Sequence, residues 1–179
     1  LLASLKTVEA AQLSSPRNTA MLNTLAQGYC GYAFMFLEDG SPARASAMYA
    51  RGAEFARKAL AVTGAVDANG RPDPAKTTRA AVPALFWNAF CRAGYLQLNL
   101  DNPDALADIS DIETAANRVA ELNPSFYHNS VYTILGSLHA ARPATLGGNL
   151  PKAKAEFELA FQGDGAKLLA NRYMYAKLY

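Results

Sequence analysis

The chain has 179 residues, of which 51% are hydrophobic and 18% are charged, and its formal net charge at pH 7 is +2. This length suits one domain with a buried core, and the charged fraction lies below the usual level of about 25%. The basic residues are dispersed, which argues against a nucleic-acid-binding protein, and no uncharged apolar stretch reaches the roughly 18 residues of a membrane span.

Apolar residues recur at helical spacing along most of the chain, and no segment shows the period-two alternation of a strand. A first helix is predicted over about residues 18–38. Asp39-Gly40-Ser41-Pro42 ends it and starts a second helix, because glycine accepts a left-handed turn and proline suits a first helical turn. Residues 64–78 form a long polar connection with glycine and proline breakers, which we expect at the surface.

The second half of the chain continues the helical pattern. A third helix carries an aromatic stripe from Phe86 to Leu98, a fourth runs over about residues 104–122, and a fifth begins near residue 126. A long loop follows over residues 142–151, and a sixth helix carries Ala153, Phe157 and Ala160. A seventh helix after Gly163-Asp164-Gly165 still reads as helix at the last residue. The sequence therefore predicts an all-α fold.

Successive helix pairs indicate internal repeats. Residues 118–124 resemble the end of a tetratricopeptide repeat, and Gly136 and Phe157 occupy its small and aromatic positions. The small positions Gly31, Cys91 and Gly136 are 60 and 45 residues apart, against about 34 in a regular array. We therefore expect antiparallel tetratricopeptide-like helix pairs, as degenerate repeats with long inserts, in one domain over residues 1–179 that is truncated at its ends.

An ordered set of short motifs is similar to the T component associated with TRAP transporters, a family of periplasmic tetratricopeptide-like lipoproteins. The motifs are GYCGYAFMFLED (28–39), AMYARG (47–52), PALFWN (83–88), LNP (122–124), GGN (147–149) with Ala153 and Phe157, and Tyr175-Ala176. The resemblance spans about residue 20 to residue 179. It implies a helical protein that self-associates, often as a trimer, pairs with the transporter's periplasmic solute-binding protein, and encloses an apolar cavity for a hydrophobic small molecule. The resemblance also implies a periplasmic protein that is lipid-anchored in its full-length form, and the lipid-bearing N-terminal cysteine of the family is not part of this chain.

The candidate ligand-binding residues are mostly aromatic: Phe86, Trp87, Asn88, Tyr95, Tyr127, His128 and Tyr132. Trp87 either lines an apolar ligand channel with its aromatic neighbours or is a core residue of the third helix. Asn88 either orients the polar end of a ligand or lies at the surface. The cluster at the start of the fifth helix suits the mouth of a ligand site and a protein interface equally well.

Three further features were weighed for chemistry. Gly147-Gly148-Asn149 either exposes backbone N–H groups to a ligand or forms a capping turn. Two cysteines do not make a disulfide framework, and Cys30 and Cys91 are expected to be buried small apolar residues rather than nucleophiles. His128 and His139 lie 11 residues apart, too far along one helix to share a metal. We expect no metal and no cofactor.

These patterns favour a non-catalytic binding or scaffold subunit that accompanies a TRAP-type transporter. The alternative is a general tetratricopeptide adaptor that binds peptides and has no transport role. Adaptors expose rows of Asn, Lys and Arg on the first helix of each pair, whereas a ligand channel exposes Tyr, Phe and Trp. The chain has Tyr and Phe at these positions, which favours the ligand channel.

Overall fold

A computed structural model describes residues 2–179, and of Leu146 only the backbone. The α-helices are α1 (Leu2–Leu13), α2 (Thr19–Phe36), α3 (Pro42–Val62), α4 (Val82–Gln97), α5 (Pro103–Ala107), α6 (Ile109–Leu122), α7 (Phe126–Ala141), α8 (Leu150–Ala160) and α9 (Leu169–Leu178). Short 3-10 turns occur at Pro74–Lys76, Arg79–Ala81, Ala144–Leu146 and Gly163–Lys167. The described residues form no strand, which confirms the all-α prediction. The tetratricopeptide-like pairing stays a prediction.

Contacts divide the chain into two compact units, one that ends at Ala115 and one that covers Ala116–Tyr179. The boundary falls inside α6. A single domain over residues 1–179 stays a prediction.

The first unit is built on α2, α3 and α4. Asn18 caps α2 by accepting a hydrogen bond from the N–H of Met21, and Pro42 opens α3 as the sequence predicts. The facing sides of the three helices bury their large side chains, so that Leu25, Tyr49 and Leu85 are at most 1% exposed. This burial provides the main stabilisation of the unit.

Cys30 of α2 and Cys91 of α4 form a disulfide, with Cα atoms 5.5 Å apart. Both are fully buried, as expected, but the bond between them was not predicted. Gly52 of α3 makes room for the bond, because a Cβ atom there would lie 2.1 Å from Cys30 Sγ and 3.0 Å from Cys91 Sγ. The cystine therefore joins α2 to α4 beneath α3.

The sequence pattern did not predict α1. This helix packs on α2 at Gly28, where a Cβ atom would lie 2.2 Å from Leu5 Cδ2. Glu9 of α1 accepts hydrogen bonds from Tyr29 Oη (2.5 Å) and from Arg51 of α3. Burial by itself would raise the pKa of Glu9, but the hydrogen bonds from Tyr29, Arg51 and Lys6 outweigh burial and lower that pKa to about 2. A charged Glu9 thus ties α1 to α2 and α3.

The predicted fourth helix is two helices, because α5 ends at Ala107 and α6 begins at Ile109. Asn102 caps α5 by accepting from the N–H of Asp104. The N–H of Asp108 donates to Ala105 O, three residues back, which tightens the turn at the junction.

The second unit is built on α7, α8 and α9. A Cβ atom at Gly136 of α7 would lie 3.0 Å from the ring of Phe157 on α8, so these two helices cross at a small residue. His139 Nδ1 lies 2.9 Å from Leu135 O and 2.7 Å from Glu156 Oε2. Both side chains are buried, so this polar pair joins α7 to α8 within an apolar core.

Candidate functional site

A cleft of about 640 Å³ opens in the first unit beside α3 and α4. Small side chains make the space: Ala50 and Ala53 on α3 and Ala107 on α5. Arg71 and Pro72, in the long connection after α3, also line the cleft. A volume of this size is typical of small-molecule sites, which span about 300–1,000 Å³.

Arg92 of α4 is held by two carboxylates of the cleft wall. Its Nε and Nη2 atoms lie 3.0 and 2.8 Å from the two carboxylate oxygens of Asp108, and Nη2 lies 3.5 Å from Asp111 Oδ2. The fork of donors thus matches the carboxylate in a bidentate pair. This contact ties α4 to the junction between α5 and α6 and uses most of the bonding capacity of Arg92.

Asn88 of α4 lines the cleft although it is only 2% exposed. Its Nδ2 donates to Ala53 O at 3.4 Å, which fixes the orientation of the amide, because a flipped amide would place two acceptors face to face. Its Oδ1 atom has no hydrogen-bond partner among the described residues. An unsatisfied buried acceptor costs about 1–3 kcal/mol, so a donor delivered into the cleft would relieve this cost.

Two other arginines of the cleft have no carboxylate partner. Arg57 of α3 and Arg71 line the cleft, are exposed, and form no ion pair with any residue that the structure describes. Hydrogen bonds from the backbone N–H groups of Arg71 and Asn69 lower the pKa of Asp67, and the charge of Arg71 makes a smaller contribution in the same direction. The side chains of Arg71 and Asp67 do not form an ion pair. By contrast, Glu54 of the same wall pairs with Arg51 and Lys58.

Sequence reasoning missed the three arginines because they are dispersed along the chain and resemble ordinary surface charges. A weak signal was present. Ala50, Ala53 and Arg57 share one face of α3 at spacings of three, four and seven, and Asn88 and Arg92 lie four apart on α4.

The predicted aromatic residues of α4 lie in the core of the first unit. Phe86 and Trp87 are 0% and 4% exposed, with ring centroids 5.0 Å apart. The centroid of the Phe90 ring lies 6.2 Å from that of Phe86, 5.6 Å from that of Trp87 and 6.4 Å from that of Tyr49. Tyr95 is half-buried in the same packing. Of the predicted ligand residues on α4, only Asn88 lines the cleft, and a ligand role for the others stays a prediction.

Tyr127, His128 and Tyr132 belong to the second unit. Tyr127, His128 and Asn129 have φ angles of 48°, 58° and 58°, so three successive residues with Cβ atoms form a left-handed turn at the start of α7. Such a conformation costs about 1–2 kcal/mol per residue. It persists only when surrounding contacts hold it.

Two asparagines hold the left-handed turn. Asn171 of α9 donates to His128 O at 2.9 Å and accepts from Ser130 Oγ and Thr133 Oγ1. Asn129 donates to Gln162 O at 2.7 Å and to Leu159 O at 3.3 Å. The turn leaves Tyr127 exposed, and its suitability for a ligand or a protein contact stays a prediction.

His128 lies at the edge of this turn beside an acidic residue. Its Nδ1 atom is 2.5 Å from Asp164 Oδ2, and Lys167 Nζ is 2.8 Å from Asp164 Oδ1. The hydrogen bond from Lys167 and the contact with His128 lower the pKa of Asp164. All three groups lie at the surface, where such pairs contribute little to stability.

Gly147-Gly148-Asn149 forms a turn whose N–H groups are all used inside the chain. They donate to Ala144 O, Pro143 O and His139 O, and Asn149 caps α8 by accepting from the N–H of Lys152. A Cβ atom at Gly148 would lie 1.8 Å from Arg142 O. These contacts agree with a capping turn. A role of the loop in ligand binding stays a prediction.

Two features of residues 2–179 bear on other functions. No described helix is both long and apolar enough to cross a membrane. No group of three or more His, Cys, Asp or Glu side chains within this range is placed to hold a metal ion.

The fold and the cleft define a class: a helical protein whose first unit carries a polar cavity in a disulfide-joined set of helices. The chain belongs to the TRAP transporter T-component family, whose model matches residues 1–179. The match covers the whole chain and confirms the resemblance found in the motifs. A search of curated proteins finds no match. Membership in this family implies association with a TRAP transporter.

Proposed function

We propose that the chain is a non-catalytic, periplasmic accessory subunit of a TRAP transporter and that it contacts the transporter's solute-binding protein. The observation that carries this proposal is the family match over residues 1–179. The family is one of transporter accessory subunits and not a known enzyme family. A lipid anchor on the full-length protein is part of the same proposal.

The disulfide supports the periplasmic location. Disulfides persist in oxidising compartments such as the bacterial periplasm and are rare in the cytosol. The Cys30–Cys91 bond joins two helices of the core and is fully buried. A bond in this position belongs to the folded state and not to a reactive surface site.

Exposed apolar side chains at the end of α2 suit a protein contact. Met35 and Phe36 are 62% and 63% exposed, and the ring of Tyr32 lies 5.5 Å from that of Phe36. Adjacent exposed apolar side chains of this size mark interaction surfaces in soluble proteins. We assign this patch, Tyr32–Met35–Phe36, to contact with the solute-binding protein or with a second copy of the chain in a homo-oligomer such as a trimer.

Light scattering after size exclusion tests the proposal directly. The purified chain, alone and mixed with the solute-binding protein of its transporter, should give a homo-oligomer and a mixed complex. Replacing Met35 and Phe36 by serine should weaken one or both species. The matched control is Leu100→Ser, which removes an apolar side chain that is 54% exposed outside the patch. A strict monomer that ignores the solute-binding protein contradicts the proposal.

The proposed function also includes the binding of a hydrophobic small molecule. Phe86, Trp87 and Tyr95 are the candidates to line it within the first unit, after a rearrangement of packing, and Tyr127 and Tyr132 are separate candidates within the second unit. Organic extraction of the native protein followed by mass spectrometry should release a co-purifying apolar compound. Its absence would leave these aromatics as packing residues.

One observation favours a peptide-binding adaptor as the second candidate. The cleft beside α3 and α4 is lined by Arg57, Arg71, Asn88 and Arg92. Arginine and asparagine are among the side chains with which such adaptors bind peptides. This candidate would be favoured if the chain binds unrelated peptides, loses that binding in the Arg57→Gln variant, and shows no affinity for the solute-binding protein.

A further inference from the structure

The cleft beside α3 and α4 contains groups whose bonding capacity the protein does not use. Asn88 Oδ1 is a buried acceptor without a donor, in a residue that is 2% exposed and lines the cleft. Arg57 and Arg71 bring two guanidinium groups without carboxylate partners among the described residues. An occupant that supplies a negative charge and a hydrogen-bond donor would satisfy both needs.

We propose that this cleft binds a small organic anion that bears a carboxylate and at least one hydroxyl or ammonium group. Arg57 and Arg71 bind the carboxylate, because the planar guanidinium fork matches the two carboxylate oxygens. The hydroxyl or ammonium group donates to Asn88 Oδ1. The volume of about 640 Å³ admits a molecule of this class.

Four carboxylates also line the cleft, and three of them form ion pairs. Asp108 and Asp111 share the single positive charge of Arg92, at 2.8 and 3.5 Å. Glu54 is neutralised by Arg51 and Lys58, at 2.9 and 2.8 Å. Asp104 forms no ion pair with a described residue, and Arg57 and Arg71 are the two cations of the lining that remain for the anion.

The requirement for a donor gives the site its selectivity. A site with a buried unpaired acceptor rejects an analogue that lacks the matching donor, because the acceptor then stays unsatisfied in the complex. A plain carboxylate should therefore bind more weakly than a hydroxylated or amino-substituted one of the same length. This binding site is independent of the transporter role proposed above, so either can fail while the other holds.

Three compounds with one carbon skeleton test the proposal by isothermal titration calorimetry at low ionic strength: glutarate, 2-hydroxyglutarate and glutamate. At least one of the two donor-bearing compounds should bind about tenfold or more tightly than glutarate. Which one binds distinguishes a hydroxyl donor from an ammonium donor. Asn88→Leu should abolish the preference for the donor-bearing compound, because it removes the acceptor.

Surface variants keep the test decisive where Asn88→Leu fails to fold. Arg57→Gln and Arg71→Gln should each weaken binding of the preferred compound about tenfold, because each removes a charge-assisted pair. Arg44→Gln is the matched control, since Arg44 is an exposed residue of the same α3 and does not line the cleft. It should bind as the unmodified protein does.

Three results would overturn the proposal. In the first, no compound of the series binds with a Kd below about 10 mM. In the second, glutarate binds as tightly as both donor-bearing compounds. In the third, Arg44→Gln weakens binding as much as Arg57→Gln, which would mean that only the overall charge matters.

Discussion

Removal of the disulfide should destabilise the first unit strongly. The bond closes a loop with a sequence separation of 61 residues between Cys30 and Cys91. The loss of chain entropy in the unfolded state predicts a contribution of about 4 kcal/mol for a loop of this length. Replacing both residues by alanine also leaves unfilled space next to Gly52, where the sulfurs now pack.

The change can be measured by thermal unfolding followed by circular dichroism. For a chain of this size, about 4 kcal/mol corresponds to a fall in Tm of roughly 8–16 °C. A reductant reaches the buried disulfide when the protein unfolds, so it should lower the Tm of the unmodified protein by a similar amount. The Tm of the Cys30→Ala/Cys91→Ala variant should not change with reductant. The reasoning is refuted if a thiol assay in denaturant without reductant finds two free thiols, or if the double variant melts within about 2 °C of the unmodified protein.

Three further changes test single contacts. The pKa of Glu9 is about 2 in the folded state and 4.5 in its ordinary state, so its stabilisation is complete above pH 4.5 and is lost as the pH falls towards 2. Glu9→Gln should therefore cost about 1–2 kcal/mol in urea unfolding at pH 7 and much less at pH 3, and an equal cost at both values would exclude the ion-pair explanation. Gly136→Ala places a Cβ 3.0 Å from the Phe157 ring and should cost about 1–3 kcal/mol, whereas Gly31→Ala, 3.8 Å from its nearest neighbour, should be neutral or stabilising. Asn171→Ala should speed amide hydrogen exchange in the left-handed turn by at least tenfold, and unchanged exchange there would show that other contacts hold the turn.

Most helices were predictable because the signals that end and start them are local. Breakers such as Asp39-Gly40-Ser41-Pro42 act within one turn of the chain, and the helix boundaries there agree with the structure. The close crossing at Gly136 and Phe157 also follows from the repeat pattern. The break between α5 and α6 was missed. It falls at Asp108, whose carboxylate pairs with Arg92, 16 residues away, and no local pattern reveals that contact.

The cleft could be predicted only in part, because its defining contacts join distant segments. Asn88 was singled out beside the aromatic stripe, but the absence of a partner for its Oδ1 is visible only in three dimensions. Arg57 and Arg71 come from a helix and from a loop, and no periodicity relates them. The disulfide was not predicted for the same reason, because the two cysteines are separated by 61 positions in the sequence.

The proposed accessory role is tested most directly by affinity purification of the tagged chain from its own cells at native expression levels. Quantitative mass spectrometry of the bound proteins should find the solute-binding protein of a TRAP transporter as the main enriched partner, and Met35→Ser/Phe36→Ser should reduce its recovery more than Leu100→Ser. Recovery of many unrelated peptides and proteins, without the solute-binding protein, would contradict the transporter role and favour a general adaptor.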